Sequence, residues 1–99
     1  MRVDWPVIEV DSLWGLKGWW YSNRPCVYEI VIGSDNYVGK ARRMRSRLGN
    51  YHPYAPRADL IRIHAIYEPE ISNRELLNEE AHYVKKLKPT LNQAKTFIR

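Results

Sequence analysis

A carboxylate stands at position 80, where a helix would be expected to bury an apolar side chain. At 3.6 residues per turn, Leu76 and Leu77 lie one turn before Glu80 and Val84 one turn after it, with Tyr83 and Leu87 on the same face. A carboxylate inside such a stripe costs free energy unless a cation, hydrogen bonds or a proton compensates it. Glu80 is therefore a candidate metal ligand. A helix rotated so that Glu80 meets solvent, or a buried arginine partner, would remove the oddity without any chemistry. Glu79 falls toward the flank of the same helix.

A second constellation runs from Tyr37 to Leu48. Tyr37-Val38-Gly39 ends a strand and leads into Lys40, Arg42, Arg43, Arg45 and Arg47. Arg43 and Arg47 are four residues apart and share a helix face, while Met44 and Leu48 supply an apolar one. Gly39 permits close backbone approach at the junction. Backbone amides with Lys40, Arg43 and Arg47 could hold a phosphate. A surface helix that is merely basic would have the same composition.

The wider charge distribution agrees with a polyanionic partner. The net charge is +5, and seven basic residues between Lys40 and Arg62 face one acid, Asp59. Nucleic acid is the first class of partner this favours and an anionic membrane the second. Arginine outnumbers lysine there, and its planar fork suits phosphate. A single cysteine, Cys26, excludes an internal disulfide and a cysteine-cluster metal site. With no cationic-apolar leader and no apolar run long enough for a bilayer, the expected location is cytoplasmic and no membrane partner is expected.

These residues need elements to position them. Cys26–Ile32 is rich in β-branched residues, Gly33-Ser34-Asp35-Asn36 is a turn cluster, and Tyr37-Val38-Gly39 resumes the strand, which predicts a β-hairpin. The stretch 40–48 favours helix, stopped by Gly49-Asn50. Residues 50–57 hold two prolines and are expected to be loop. A third strand is predicted over 59–67, with Leu60, Arg62, His64 and Ile66 on one side and Ile61, Ile63, Ala65 and Tyr67 on the other. Ser72-Asn73-Arg74-Glu75 has the form of a capping box, opening a helix to about Leu87 before Pro89. The expected fold is α+β: a small antiparallel β-sheet with flanking helices in the order ββαβα.

Together the segments resemble the GIY-YIG nuclease family, most closely its excision-repair (UvrC) branch. Pro25-Cys26-Val27-Tyr28 stands at the first motif and Tyr37-Val38-Gly39 is the second. Lys40-Ala41-Arg42, then Arg47-Leu48 with Tyr51 close behind, is similar to the continuation in that branch. Glu80-Ala81-His82-Tyr83-Val84 and then Lys88-Pro89-Thr90-Leu91-Asn92 resemble the metal-binding helix and its closing Pro-x-x-Asn. The likeness spans residues 25 to 92. One departure is Cys26, where the motif has glycine: a positive φ there would strain cysteine, whereas an ordinary strand residue would not be strained.

The resemblance implies a metal-dependent endonuclease that hydrolyses DNA phosphodiester bonds, one strand per active site. Glu80 would bind one Mg²⁺ (or Mn²⁺), and Arg47 would stabilise charge on the phosphate. Tyr28 or Tyr37 would serve as general base, Tyr28 being the first choice, with Lys40 favouring the phenolate. Gly39, Arg42, Arg43, Arg45, Tyr51, His52 and Asn92 would line the DNA site, Asn92 orienting the metal shell or a water. Target specificity would come from a homodimer, a larger partner or DNA structure. Two other classes remain: a degenerate nucleic-acid-binding module and a protein-interaction domain.

The first 24 residues are expected to form a Trp-rich extension packed on a nuclease domain of residues 25–99. They hold all four tryptophans, Trp5, Trp14, Trp19 and Trp20, and show no clean periodicity, although Asp11-Ser12 could cap a short helix. Packing on the sheet is favoured over stacking of Trp19, Trp20 or Tyr21 on unpaired bases.

Overall fold

Alternation along the hairpin sorts its side chains onto two faces. Strand β3 is Cys26–Ile32 and β4 is Asp35–Ala41, paired antiparallel with Tyr28 opposite Gly39 and Ile30 opposite Tyr37. Cys26, Tyr28, Ile30, Tyr37 and Ala41 enter one apolar cluster, and Val27 and Val38 enter another. In the computed structural model, which describes residues 2–3, 8–10, 24–47 and 54–92, only Gly33 and Ser34 form the turn. Gly33 takes φ +60, the positive value a glycine-first two-residue hairpin turn requires, and its N–H donates to Asp59 Oδ2 at 2.7 Å.

Strand β5, Leu60–Tyr67, pairs antiparallel with β3 on the side away from β4. The strict alternation predicted for it breaks. Val27 pairs with Ala65 but Tyr28 pairs with Ile63, leaving His64 as an extra residue in a β-bulge. Ile61, Ile63 and Ile66 consequently join the Tyr28 cluster, while Ala65 and Tyr67 join the Val27 cluster. Two short strands, β1 (Arg2–Val3) and β2 (Ile8–Val10), pair antiparallel with the outer side of β5. Two pieces of the segment 1–24 thus extend the sheet, a role its composition did not signal. The four tryptophans and the possible cap at Asp11-Ser12 lie outside the described residues.

The helix predicted over 40–48 starts later. Lys40 and Ala41 remain in β4 opposite Val27 and Cys26, so ladder pairing overrides their helical propensity. Helix α1 covers only Met44–Ser46, with Arg47 as its C-cap, and a 3₁₀ turn covers Ala55–Arg57. Met44 and Ala55 are buried in the Tyr28 cluster.

The opposite face is closed by helix α2, Asn73–Leu87. Both bonds of the predicted capping box form: Glu75 N–H donates to Ser72 Oγ at 3.0 Å, and Ser72 N–H donates to Glu75 Oε1 at 2.9 Å. Leu76 and Tyr83 are buried against Val27, Val38, Ala65 and Tyr67, with Ile71 beside them. The chain is therefore an α+β domain with an antiparallel sheet, and no helix of the described residues is long and apolar enough to cross a membrane.

Helix α2 ends at Lys88, which adopts the left-handed region at φ 48, ψ 58, while Pro89 is buried just after it. Side chains there clash with the backbone, a cost of about 1 kcal/mol that glycine avoids. Lys88→Gly is expected to raise the melting temperature by roughly 4–8 °C for each kcal/mol recovered. An unchanged or lower midpoint in a calorimetric scan would contradict this backbone account.

Candidate functional site

Tyr28 and Tyr37 meet over a glycine. A Cβ built on Gly39 would lie 2.6 Å from Tyr28 Oη, 2.8 Å from its Cζ and 2.9 Å from Tyr37 Cε2. No side chain fits there unless both rings move. The two rings stand 6.4 Å apart between centroids, and Tyr54 continues the series 5.2 Å from Tyr37. Both tyrosines are buried, Tyr28 to 1% exposure. Arg47 is exposed, and its guanidinium lies within hydrogen-bonding reach of the Tyr28 hydroxyl. An exposed cation is thus anchored at one end to a buried phenol.

Burial, and to a smaller extent the neighbouring Tyr37, push the Tyr28 phenol well above its ordinary 10.0, and Arg47 pulls it back only in part. Tyr28 therefore keeps its proton at neutral pH, and the first choice of general base moves from Tyr28 to Tyr37. Lys40 alternates with Tyr37, Gly39 and Ala41, so its side chain leaves β4 on the face shared with Val38. Cys26 is an ordinary strand residue with no positive φ, fully buried, and burial pushes its thiol up. Cysteine at the motif's glycine position is accommodated without strain, and it is a core residue rather than a nucleophile.

Glu80 comes from the other layer. Asn73 on α2 accepts from Arg42 at the end of β4, whereas Glu79 accepts from Tyr67 Oη of β5 at 2.7 Å. Glu80, two turns after Asn73, lies on the β4 side of the helix. It is half-buried and makes no hydrogen bond or ion pair with the described residues. Among those residues no group of three or more His, Cys, Asp or Glu could hold a metal. The structure therefore joins Tyr28, Tyr37, Gly39 and Arg47 by contact and leaves Glu80 outside that group.

The remaining predicted residues divide. Arg42 is committed internally: its guanidinium donates to Ile71 O at 2.6 Å, Pro69 O at 2.9 Å and Asn73 Oδ1 at 3.2 Å. It ties the β5–α2 loop rather than offering a free cation to DNA. Arg43 is exposed and lines a shallow groove with Pro25, Ser46 and Pro69. The Asn92 amide is taken by β4, accepting from Val38 N–H and donating to Val38 O, both at 2.8 Å. Arg45 lies on α1, and Tyr51 and His52 lie outside the described residues.

Sequence reasoning missed Glu29. It is a carboxylate in an apolar strand and is 5% exposed, the same signal that drew attention to Glu80. His64, on the same face of β5 as Arg62, lies 2.9 Å from Glu29 Oε1, Asn36 donates to Oε2 at 2.8 Å, and Arg62 stands 3.5 Å away. The His64 ring rests against Tyr83 of α2, 5.4 Å between centroids. Compared with models of protein families, with curated proteins and with solved structures, the chain gave no match.

Burial pushes the Glu29 carboxyl up, but the hydrogen bonds from His64 and Asn36 and the charges of His64 and Arg62 outweigh it. The net shift is below the ordinary 4.5. A depressed folded-state value contributes stability above the unfolded value and loses it as pH falls through the folded one. Glu29→Gln is therefore expected to melt lower than wild type at pH 7, with the gap closing as pH is lowered below about 4.3. A gap that stays constant from pH 7 to pH 3 would show that the charge of Glu29 contributes nothing.

Proposed function

We propose that this chain is a metal-dependent endonuclease of the GIY-YIG type, with a ββαβα core, hydrolysing DNA phosphodiester bonds one strand at a time. The observation that carries the reading is the packing of Tyr28 and Tyr37 on Gly39 with exposed Arg47 fastened to Tyr28. Phosphodiester hydrolysis needs a deprotonated water and stabilisation of charge on the phosphate. Arg47, held beside Tyr28, presents its donors to a phosphate with less side-chain freedom to lose. A phenolate at Tyr37 would take the proton of the attacking water and the departing 3′ oxygen would take one from solvent, while Tyr28 stays protonated and orients Arg47. Glu80 supports the metal half of the reading because its carboxylate is half-buried and unbonded among the described residues. It would hold one Mg²⁺ or Mn²⁺ whose other ligands are waters and substrate oxygens; bound there, the ion supplies a Lewis acid for the phosphate. Arg43 and Arg57, both exposed, offer cations to grip the DNA backbone.

A second reading, a nucleic-acid-binding module that does not cut, is favoured by one observation. Glu80 is carried by α2, which packs on the face of the sheet opposite the Tyr28–Tyr37 cluster, and it makes no hydrogen bond or ion pair with the described residues. Nicking of supercoiled plasmid with and without Mg²⁺, beside a salt-dependent binding titration, separates the two. Wild type is expected to nick only with the metal. Glu80→Ala should abolish nicking with little change in melting, and Arg47→Ala should lower kcat by about 10²–10³ while binding stays close to wild type. Arg43→Ala should weaken binding and reduce the salt slope by about one. Glu70, exposed at the β5–α2 turn, is the acidic control; Glu79 is unsuitable because it accepts a hydrogen bond from the buried Tyr67 hydroxyl. Salt-sensitive binding without nicking would select the second reading, and neither activity would leave a protein-interaction domain.

A further inference from the structure

Among the described residues strand β4 is an edge strand, and an edge strand is held by its neighbour on one side only. The residues flanking Tyr37 are held on the open side as well. Glu29 pairs with Val38 across the hairpin, and the backbone groups of Val38 point away from β3 to the Asn92 amide. One residue before Tyr37, Asn36 N–H donates to Thr90 Oγ1, and Thr90 N–H donates to Asn36 Oδ1, each at 3.1 Å. Thr90 Oγ1 donates in turn to Asp35 Oδ1 at 3.0 Å. The other end of the Asn36 amide donates to buried Glu29, which His64 holds from β5. The chain after α2 thus acts as a strap along the edge, and Asn36 joins that strap to a carboxylate inside the domain.

We propose that Glu29, acting through Asn36, and Asn92, acting on Val38, are positioning residues that fix the backbone on both sides of Tyr37 and so aim its phenol. The side chains of Glu29, Asn36 and Val38 leave the sheet on the α2 face, and Tyr37 leaves on the other, so neither Glu29 nor Asn92 acts by touching the phenol. Their influence passes through the peptide groups at 36–37 and 37–38. Held only by β3, the edge would twist and slide against its neighbour, and a ring seated on Gly39 and Tyr54 would move with it. The arrangement also gives the Pro-x-x-Asn segment a use that needs no metal shell: both polar atoms of Asn92 are already taken. That Tyr37 so aimed serves in cleavage rests on the nuclease reading above; that it is aimed does not.

The test keeps the two apart. Asn36→Ala and Asn92→Ala would be prepared, with Asn92→Asp as the conservative partner, which keeps the acceptor for Val38 N–H and loses the donor. Amide exchange at Val38 and the cross-relaxation of the Tyr37 ring with Gly39 and Tyr54 are read by NMR. Asn92→Ala is expected to speed Val38 exchange at least about tenfold and to weaken the ring contacts, with Asn92→Asp between it and wild type. In the nicking assay kcat should fall about tenfold or more in Asn36→Ala and Asn92→Ala with KM within about twofold, as misplacement of a reacting group predicts. Unchanged Val38 exchange and unchanged ring contacts in Asn92→Ala would overturn the proposal, as would lost contacts with an unaltered kcat. Should wild type prove unable to nick, the nuclease reading fails, and the exchange and ring measurements still decide whether the strap positions Tyr37.

Discussion

The absence of a side chain at Gly39 is the constraint on which the rest of the candidate site depends. Tyr28 reaches across the hairpin and lies on the Gly39 backbone, with the edge of the Tyr37 ring beside it. Because no methyl group intervenes, a phenol can be buried to 1% exposure and still stand within hydrogen-bonding reach of exposed Arg47. A buried anchor and a solvent-facing cation are a way of fixing a guanidinium without burying its charge, which would cost far more. The apolar residues around it, Met44, Ala55, Ile61 and Ile63, hold the ring but add no chemistry.

The sheet keeps two kinds of interaction apart on its faces. One face carries the tyrosines and Arg47. The other carries α2 and a polar network of Glu29, His64, Asn36 and Arg62. The bulge at His64 puts Ala65 on the same face as His64 and Arg62, so that the polar network and the apolar contact with α2 share one side of β5. A buried carboxylate with His64, Asn36 and Arg62 as partners specifies a register more sharply than apolar packing does, because a one-residue slip would leave it bare. Arg42 performs a similar office at the end of β4, where three acceptors of the 69–73 stretch share one guanidinium.

Much of this was legible in the amino-acid sequence where local physics decides. The β-branched run, the Gly33 turn and the Ser72–Glu75 capping box each carry their own signal, and all three form. What was illegible depends on partners distant in sequence. Lys40 and Ala41 have helical propensity, yet β3 recruits them into the ladder. The bulge at His64 leaves no mark in composition, so the faces of β5 were predicted by an alternation that fails halfway. Arg42 and Asn92 look like free polar groups until the fold brings carbonyls and a strand edge to them. Glu29 could have been found, because it breaks an apolar strand as Glu80 breaks an apolar helix face, and the same argument applies to both. The grouping of Tyr28, Tyr37 and Arg47 was implied by the motif resemblance, whereas the placing of Glu80 on a helix packed against the other face was not.

If Gly39 is what holds both rings and through Tyr28 aims Arg47, its replacement by alanine should disable the site while leaving the sheet formed. The decisive measurement is the Mg²⁺-dependent nicking rate of Gly39→Ala against wild type, taken well below the melting midpoint of the variant. Displacing two rings and the guanidinium by about an ångström should slow cleavage about 10²-fold. A variant that melts cooperatively and nicks at the wild-type rate would contradict the claim that this glycine organises the site.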